Sequence, residues 1–170
     1  MERKCYMGVD VGSVSTNIVL MDEANNVIIK KYLRTLGKQI EVLQNGIKEV
    51  VDEVSDFYVA GAGVTGSGRY LADLIIGSDI VKNEITSHAV AALNYLPEIR
   101  TVIEIGGQDS KIIILRDGVV IDFAMNTVCA AGTGSFLDRQ ANRLGIDIAD
   151  FGRLALKSHN PVRIAGRCAV

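Results

Sequence analysis

The segment GVDVGSVSTN, residues Gly8–Asn17, decides the fold, because it joins two strands through a glycine-containing turn. The apolar residues before Asp10 predict a buried strand, and Gly12 with Ser13 permits a tight turn directly after it. Backbone N–H groups in such a turn can bind phosphate oxygens, and a carboxylate beside them can hold Mg²⁺ through water. Taken alone, the pattern also fits an ordinary hairpin with an aspartate at its turn.

The sequence around this segment predicts an α/β unit. Three runs predict antiparallel strands in a meander, namely CYMGVDVG, TNIVLMD and NVIIKKYLRT. Apolar residues at helical spacing then predict a helix, and these are Ile40, Leu43, Ile47, Val50, Val51 and Val54. A buried strand in FYVAGAG and helices in GRYLADLII and NEITSHAVAALNYL follow. We therefore expect the order β-β-β-α-β-α.

The same order begins again near Thr101, without sequence identity between the two copies. Strands are predicted in RTVIEIGG, SKIIILRDG and VVIDFAMN, and RDG between the last two predicts a hairpin. Helices are predicted in GSFLDRQANRLG and DIADFGRLALKS. We therefore expect two lobes, residues 1–97 and 98–170, the second of them incomplete.

The second copy carries its own glycine turn in IEIGGQDSK, Ile103–Lys111. Glu104 and Asp109 supply carboxylates there, and Gln108 could orient a water molecule. A single Gly-Gly turn is weak evidence for a site, but two turns in a repeated layout are better evidence. They could face each other across a cleft and hold one polyphosphate, with catalysis by positioning and charge neutralisation.

A third glycine pattern, GAGVTG at Gly61–Gly66, matches G-x-G-x-x-G, and Asp79 or Glu84 follows at about the acidic spacing of a dinucleotide site. A three-strand meander is not the opening of such a fold. The overlapping Gly63–Gly68 has P-loop spacing but continues with Arg-Tyr in place of Lys-Ser/Thr. We interpret this stretch as a loop between the lobes.

Composition and charge give expectations about the cellular compartment and the partners of the protein. The chain has 170 residues, 48% of them hydrophobic, and a net charge of −2 without a long basic run, which argues against nucleic acid as a partner. No apolar run reaches the ~20 residues of a membrane span, and no signal peptide is evident. The three cysteines form no CxxC pair. These features predict a cytoplasmic protein without disulfides and without a membrane partner.

Two of the cysteines lie in glycine-containing turns. Cys129 precedes AAGTG and a predicted helix, whose N-terminus would favour a thiolate or an anionic metal centre, and Cys168 lies in AGRCAV. An iron–sulfur cluster usually takes four thiolates, so two chains related by a twofold axis would be needed to supply them. Spacing alone favours the simpler interpretation of two buried thiols without a ligand.

Four motifs taken together resemble one known family. GVDVGSVS, GVTGSGR, IEIGGQDSK, and NTVCAAGTGSFLD followed by GRCAV are similar to the BadF/BadG/BcrA/BcrD ATPase family over about Tyr6–Val170. Its members include activators of 2-hydroxyacyl-CoA dehydratases and ATPase subunits of benzoyl-CoA reductases. The resemblance implies actin-like, or ribonuclease-H-like, ATPase lobes with mixed sheets.

The resemblance also implies roles for individual residues. Asp10, Glu104 and Gln108 would be catalytic, and Asp10 would also hold Mg²⁺. The residues that would bind ATP or ADP are Gly12, Ser13, Val14, Ser15, Gly106, Gly107, Asp109, Gly132, Thr133 and Gly134. Cys129 and Cys168 would be this chain's ligands to one [4Fe–4S] cluster shared by a homodimer or a pseudo-twofold assembly.

The implied function is ATP-driven electron transfer. ATP binding and hydrolysis would change the angle between two cluster-bearing helices and drive a low-potential electron to a 2-hydroxyacyl-CoA dehydratase or a related acyl-CoA reductase. A ferredoxin or a flavodoxin would be the electron donor. Two other functions stay open: a small-molecule kinase of the same fold, and a nucleotide-binding interaction module without turnover.

The sequence departs from the family pattern in three ways. Asn17 stands seven residues after Asp10, where many actin-like ATPases carry Lys or Arg. Glu104 stands where several relatives have Asp. The family extends beyond Val170, so we expect the chain to be part of a longer or duplicated protein.

Overall fold

The structure is a computed structural model that describes residues 3–54, 56–126 and 133–162. The chain divides into two compact units between Tyr95 and Leu96. The assignment of these units to two ATPase lobes stays a prediction. Across the described ranges, no helix is long and apolar enough to cross a membrane.

The first unit is built on a five-stranded sheet in the order β3-β2-β1-β4-β5. Its strands are β1 (Arg3–Val11), β2 (Ser15–Met21), β3 (Val27–Arg34), β4 (Phe57–Thr65) and β5 (Ile80–Val81). The first three form the predicted antiparallel meander, whereas β4 pairs parallel to β1 and β5 parallel to β4. Helices α1 (Gln39–Glu53), α2 (Arg69–Ile76) and α3 (Glu84–Tyr95) complete the unit.

The core of the first unit follows from the two-residue alternation of its strands. Alternate residues of β1 and β2 are buried, and they pack with residues of α1, β4 and α2. The buried cluster includes Val9, Val11, Ile18, Leu20, Leu43, Val50, Val64 and Ala72. A Cβ at Gly46 of α1 would lie 2.5 Å from Leu33 Cδ1 and 2.8 Å from Ile18 Cδ1, so the helix sits close to the sheet. Ile40 and Val51, predicted for the buried stripe, are 49% and 58% exposed.

The interpretation of Gly61–Gly66 as a loop between the lobes was wrong, because all but the last of these residues belong to β4. They pair with β1 in register, with Gly8 opposite Gly63 and Asp10 opposite Thr65. Gly63 suits this strand because a side chain of the paired strand β5 lies close to it: a Cβ at Gly63 would lie 2.9 Å from Ile80 Cγ2.

The second unit contains a three-stranded antiparallel sheet in the order β6-β7-β8. The strands are β6 (Thr101–Ile105), β7 (Ser110–Arg116) and β8 (Val119–Met125), followed by α4 (Gly134–Leu144) and α5 (Ile148–Ala155). Asp117 and Gly118 have φ of 51° and 75°, which suits the two-residue hairpin predicted at this position. α4 ends at Gly145 with φ of 65°, and the Asp147 carboxylate accepts from Ala149 N to begin α5.

Candidate functional site

The first turn, defined as Asp10–Asn17, joins β1 to β2. Its ends are held by strand pairing, since Asp10 lies opposite Asn17 in the β1–β2 register. Gly12 N donates to Ser15 O at 2.8 Å and closes the turn. A Cβ at Gly12 would lie 3.0 Å from Ser15 O, tighter than an ordinary contact, so the turn closes most easily around a glycine.

Thr35, directly after β3, binds the carbonyl groups of this turn. Its Oγ1 donates to Gly12 O at 3.1 Å and its N–H donates to Val14 O at 2.9 Å. In a trans peptide the carbonyl and the following N–H point in opposite directions. The N–H groups of Ser13 and Ser15 therefore point away from Thr35, and their orientation suits an anion on the other side of the turn.

The segment between β4 and α2 packs against the start of the first turn. Gly68 N donates to Val11 O at 2.8 Å. Gly66 has φ of 92°, and a Cβ there would overlap Asp10 Oδ1 and lie 2.5 Å from Val11 O. A side chain at Gly66 would thus displace Asp10, which explains a glycine at this position.

Asp10 also lines a cavity of about 270 Å³ on the sheet of the first unit. The polar residues around it are Asp10, Asn17, Thr65, Lys82 and Ser87. Asn17 Nδ2 donates to Asp10 Oδ2 at 3.1 Å, and Ser87 Oγ lies 3.1 Å from Thr65 Oγ1. The cavity is close to the lower size limit of small-molecule pockets, and it offers a carboxylate and an ammonium to a ligand.

The second turn, defined as Glu104–Lys111, joins β6 to β7 and contains Gly106, Gly107 and Gln108. Glu104 lies opposite Lys111 in the β6–β7 register. Gly106 N donates to Asp109 O at 2.8 Å and closes this turn.

The start of α4 binds the carbonyl groups of the second turn. Gly134 N donates to Gly106 O at 2.9 Å and Ser135 N donates to Gly107 O at 2.8 Å. Thr133, the fully buried residue that precedes α4, donates its Oγ1 to Gly107 O at 3.0 Å. By the same trans-peptide argument, the N–H groups of Gly107 and Gln108 point away from α4.

Lys111 is the centre of the charged contacts of the second turn. Its Nζ donates to Glu104 Oε2 at 3.0 Å and to Asp109 Oδ1 at 2.7 Å. The exposed fractions of the three side chains are 3% for Lys111, 16% for Glu104 and 41% for Asp109. A buried lysine with two carboxylate partners is a paired charge, which is the form in which lysine is tolerated inside a protein.

The predicted site residues fall into two groups in the structure. Asp10, Gly12, Ser13, Val14 and Ser15 share the first turn, while the second turn brings together Glu104, Gly106, Gly107, Gln108 and Asp109 with Thr133 and Gly134 of α4. Gly132, Cys129 and Cys168 lie outside the described residues. Among the side chains that are described, no group of three or more His, Cys, Asp and Glu residues is placed to hold a metal ion.

Three features of the site were not predicted from the sequence: Thr35, Lys111 and the packing role of Gly66. Lys111 could have been found, because it follows Glu104 by seven residues just as Asn17 follows Asp10. Cys5, in contrast, is a core residue. It is 1% exposed, its Sγ donates to Tyr58 O at 3.3 Å, and burial raises the pKa of its thiol.

Comparison with known proteins identifies the family. The sequence profile of the BadF/BadG/BcrA/BcrD ATPase family matches residues 7–170. The chain belongs to this ATPase family. Among its relatives, the (R)-2-hydroxyglutaryl-CoA dehydratase activating ATPase of Acidaminococcus fermentans is 34% identical over 166 residues, which covers 96% of this chain and 63% of the relative.

Solved structures of the family agree with this assignment. Component A of the A. fermentans (R)-2-hydroxyglutaryl-CoA dehydratase superposes with a TM-score of 0.84 at 33% identity, covering 97% of this chain and 63% of the other. The activator of the 2-hydroxyisocaproyl-CoA dehydratase from Clostridium difficile, with bound ADPNP, gives a TM-score of 0.78 at 31% identity, with 97% and 61% covered. The predicted actin-like α/β fold with mixed sheets is confirmed. The chain spans about three fifths of the length of these relatives.

Proposed function

We propose that the full-length protein binds and hydrolyses Mg·ATP and activates a 2-hydroxyacyl-CoA dehydratase or a related acyl-CoA reductase. The observation that carries this proposal is the construction of the two turns. In each, carbonyl groups are bound by a threonine or a helix start, so that neighbouring N–H groups point the other way. Two turns with N–H groups directed in this way are suited to phosphate oxygens. The activator role is proposed by analogy with the relatives, which activate 2-hydroxyacyl-CoA dehydratases.

Each of the two turns would offer backbone N–H groups to phosphate oxygens of the nucleotide. In the first turn the N–H groups of Ser13 and Ser15 would bind phosphate oxygens, and Asp10 would hold Mg²⁺ through water. In the second turn the N–H groups of Gly107 and Gln108 would do the same. An ADPNP-bound relative in the same family supports a nucleotide as the ligand.

Hydrolysis would depend on positioning and charge, because the protein does little covalent chemistry in phosphoryl transfer. The Glu104 carboxylate and the Gln108 amide would orient the attacking water. Lys111 limits the negative charge near the phosphates, since its ammonium contacts both carboxylates of the turn.

The redox half of the proposal concerns Cys129 and Cys168, and it rests on the sequence and the family resemblance. Thiolates are the usual ligands of iron–sulfur clusters, and two from each of two subunits would complete a [4Fe–4S] set. The bound cluster would carry one electron at low potential from a ferredoxin or a flavodoxin to the acyl-CoA enzyme. A cytoplasmic location belongs to the same proposal.

The nucleotide half is tested by ATP hydrolysis in the full-length protein. We expect Asp10→Asn to lower kcat by about 100-fold or more, because the metal loses its carboxylate anchor. Asp52→Asn, an exposed aspartate of α1, is the control with the same charge change. A wild-type protein without Mg²⁺-dependent hydrolysis, or an Asp10 variant as active as the control, would contradict the proposal.

The redox half is tested by anaerobic reconstitution with iron and sulfide. The Cys129→Ala/Cys168→Ala variant should lose the cluster absorbance, whereas Cys5→Ala should keep it because Cys5 lies in the core. Equal absorbance in all three proteins would rule out these ligands. ATP-dependent phosphorylation of a small molecule by the double variant would instead support the kinase alternative.

A further inference from the structure

We propose that Lys111 is a positioning residue, which sets the shape of the second turn through the carboxylates of Glu104 and Asp109. The proposal deepens the ATPase function above and rests on it for its kinetic test. It starts from the place of Lys111 on β7, the central strand of the sheet, opposite Glu104 on β6 and Met125 on β8. From there a nearly fully buried ammonium reaches both carboxylates.

The two carboxylates connect Lys111 to the backbone of the turn at Gly106. A Cβ at Gly106 would lie 3.0 Å from Glu104 Oε1 and 3.1 Å from Asp109 Oδ1, so both carboxylates close over the Cα of this glycine. The same glycine donates its N–H to Asp109 O. The position of Gly106 is therefore tied to the two groups that Lys111 holds.

Lys111 and α4 thus fix the turn from two directions. The helix start binds the carbonyls of Gly106 and Gly107, and Lys111 binds the side chains on either side of them. Together these contacts determine where the N–H groups of the turn point. Loss of the Lys111 ammonium would leave the two carboxylates close together over the Gly106 Cα. Their repulsion would drive them apart and distort the turn.

The kinetic test is a double-mutant cycle on ATP hydrolysis by the full-length protein. We expect Glu104→Gln and Lys111→Met each to lower kcat by about 100-fold, in the usual range for one positioned group. Because Lys111 acts through Glu104 and Asp109, and Glu104→Gln already removes one of these two charged partners, the double variant should lose no more than about tenfold beyond Glu104→Gln alone. A double variant whose loss is the product of the two single losses would overturn the proposal. If Lys111→Met alone does not fold, the comparison of the double variant with Glu104→Gln decides the question.

Amide hydrogen exchange tests the same proposal without catalysis. Lys111→Met should speed exchange of the Gly106 amide at least about tenfold, since its partner Asp109 O moves with the turn. Lys157→Met, an exposed lysine of the same unit, should leave it unchanged. Unchanged exchange in the Lys111 variant would refute the positioning role. Absent hydrolysis in the wild type would refute the ATPase proposal, and the exchange result would still decide the role of Lys111.

Discussion

The two turns have the same backbone frame, but the group that pairs with the first carboxylate differs in charge. In each, a carboxylate residue pairs across the hairpin with the residue seven positions later, Asp10 with Asn17 and Glu104 with Lys111. Each first glycine donates to the carbonyl of the third residue after it, at 2.8 Å. The carboxylate accepts from an amide at 3.1 Å in the first turn and from an ammonium at 3.0 Å in the second. The hairpin thus fixes the position of the partner, while the residue type sets the charge.

The supports of the two turns differ as well. The first turn is bound by Thr35, after a neighbouring strand, and by Gly68 before α2, and Gly66 packs closely against it. The second is bound by the first residues of a helix. The residues that bind the first turn, Thr35 and Gly68, lie far apart in the sequence. Those that bind the second turn are three successive residues, Thr133, Gly134 and Ser135.

The largest expected effect concerns the glycine support of the first turn. Gly66→Ala should lower the free energy of unfolding by about 3 kcal/mol, because a Cβ there meets Asp10 and the Val11 backbone in a left-handed conformation. Chemical denaturation measures the loss.

Gly77→Ala is the matched control for this prediction. Gly77 also has a left-handed φ, of 64°, but a Cβ there would have no atom within 4 Å. We expect it to cost about 1 kcal/mol, the backbone contribution alone. Equal losses in the two variants would mean that the first turn does not depend on close packing at Gly66.

An intermediate effect is expected from the two buried threonines. Thr35→Val should cost about 2 kcal/mol, since Gly12 O loses a donor and Thr16 Oγ1 loses its partner at 3.1 Å. Thr133→Val should cost about 1 kcal/mol, because Gly107 O keeps the N–H of Ser135. Both changes in the free energy of unfolding are measured from the midpoints of chemical denaturation, with the denaturant slope unchanged between the variants. A larger loss of stability for Thr133→Val than for Thr35→Val would contradict this prediction.

The smallest expected effect comes from making the first turn resemble the second. Asn17→Lys would place an ammonium beside Asp10, and it should tighten ADPNP binding to the full-length protein about fourfold without Mg²⁺, which is less than about 1 kcal/mol. The gain should shrink when Mg²⁺ is present, since metal and ammonium compete for the same carboxylate. Nucleotide titration with and without a chelator measures both values.

Asn94→Lys on the exposed face of α3 makes the same charge change elsewhere in the first unit. We expect no more than a twofold change in affinity there, because surface charges at a distance are screened by salt. If both variants tighten binding equally, the position opposite Asp10 does not matter for nucleotide binding.

Local patterns were sufficient to predict most of the fold. The meander, α1 and the hairpin at Asp117 and Gly118 follow from alternation, helical spacing and turn chemistry, and each is present in the structure. The strand predicted in FYVAGAG is present, but the loop interpretation of Gly61–Gly66 overlooked its continuation to Thr65, because glycine has a low strand propensity. The strand character of this stretch comes from pairing with β1, which is a long-range contact.

The glycine turns were also predictable, but their supports were not. Asp10, Gly12 and Gly106 belong to short motifs that can be read in one window of sequence. Thr35 and Thr133 act on turns 23 and 26 residues away, and Lys111 would ordinarily be assigned to the surface. Such contacts depend on the folded register rather than on local sequence.

The hydrogen bonds between the second turn and α4 have a mechanical consequence. A turn whose carbonyls receive the first amides of a helix cannot tilt without carrying that helix as a lever. The helix has 11 residues and is therefore about 16 Å long. A rotation of about 10° at the glycines would then sweep Leu144 through about 3 Å. A small rotation of the second turn would thus become a displacement of several ångströms at the C-terminal end of α4.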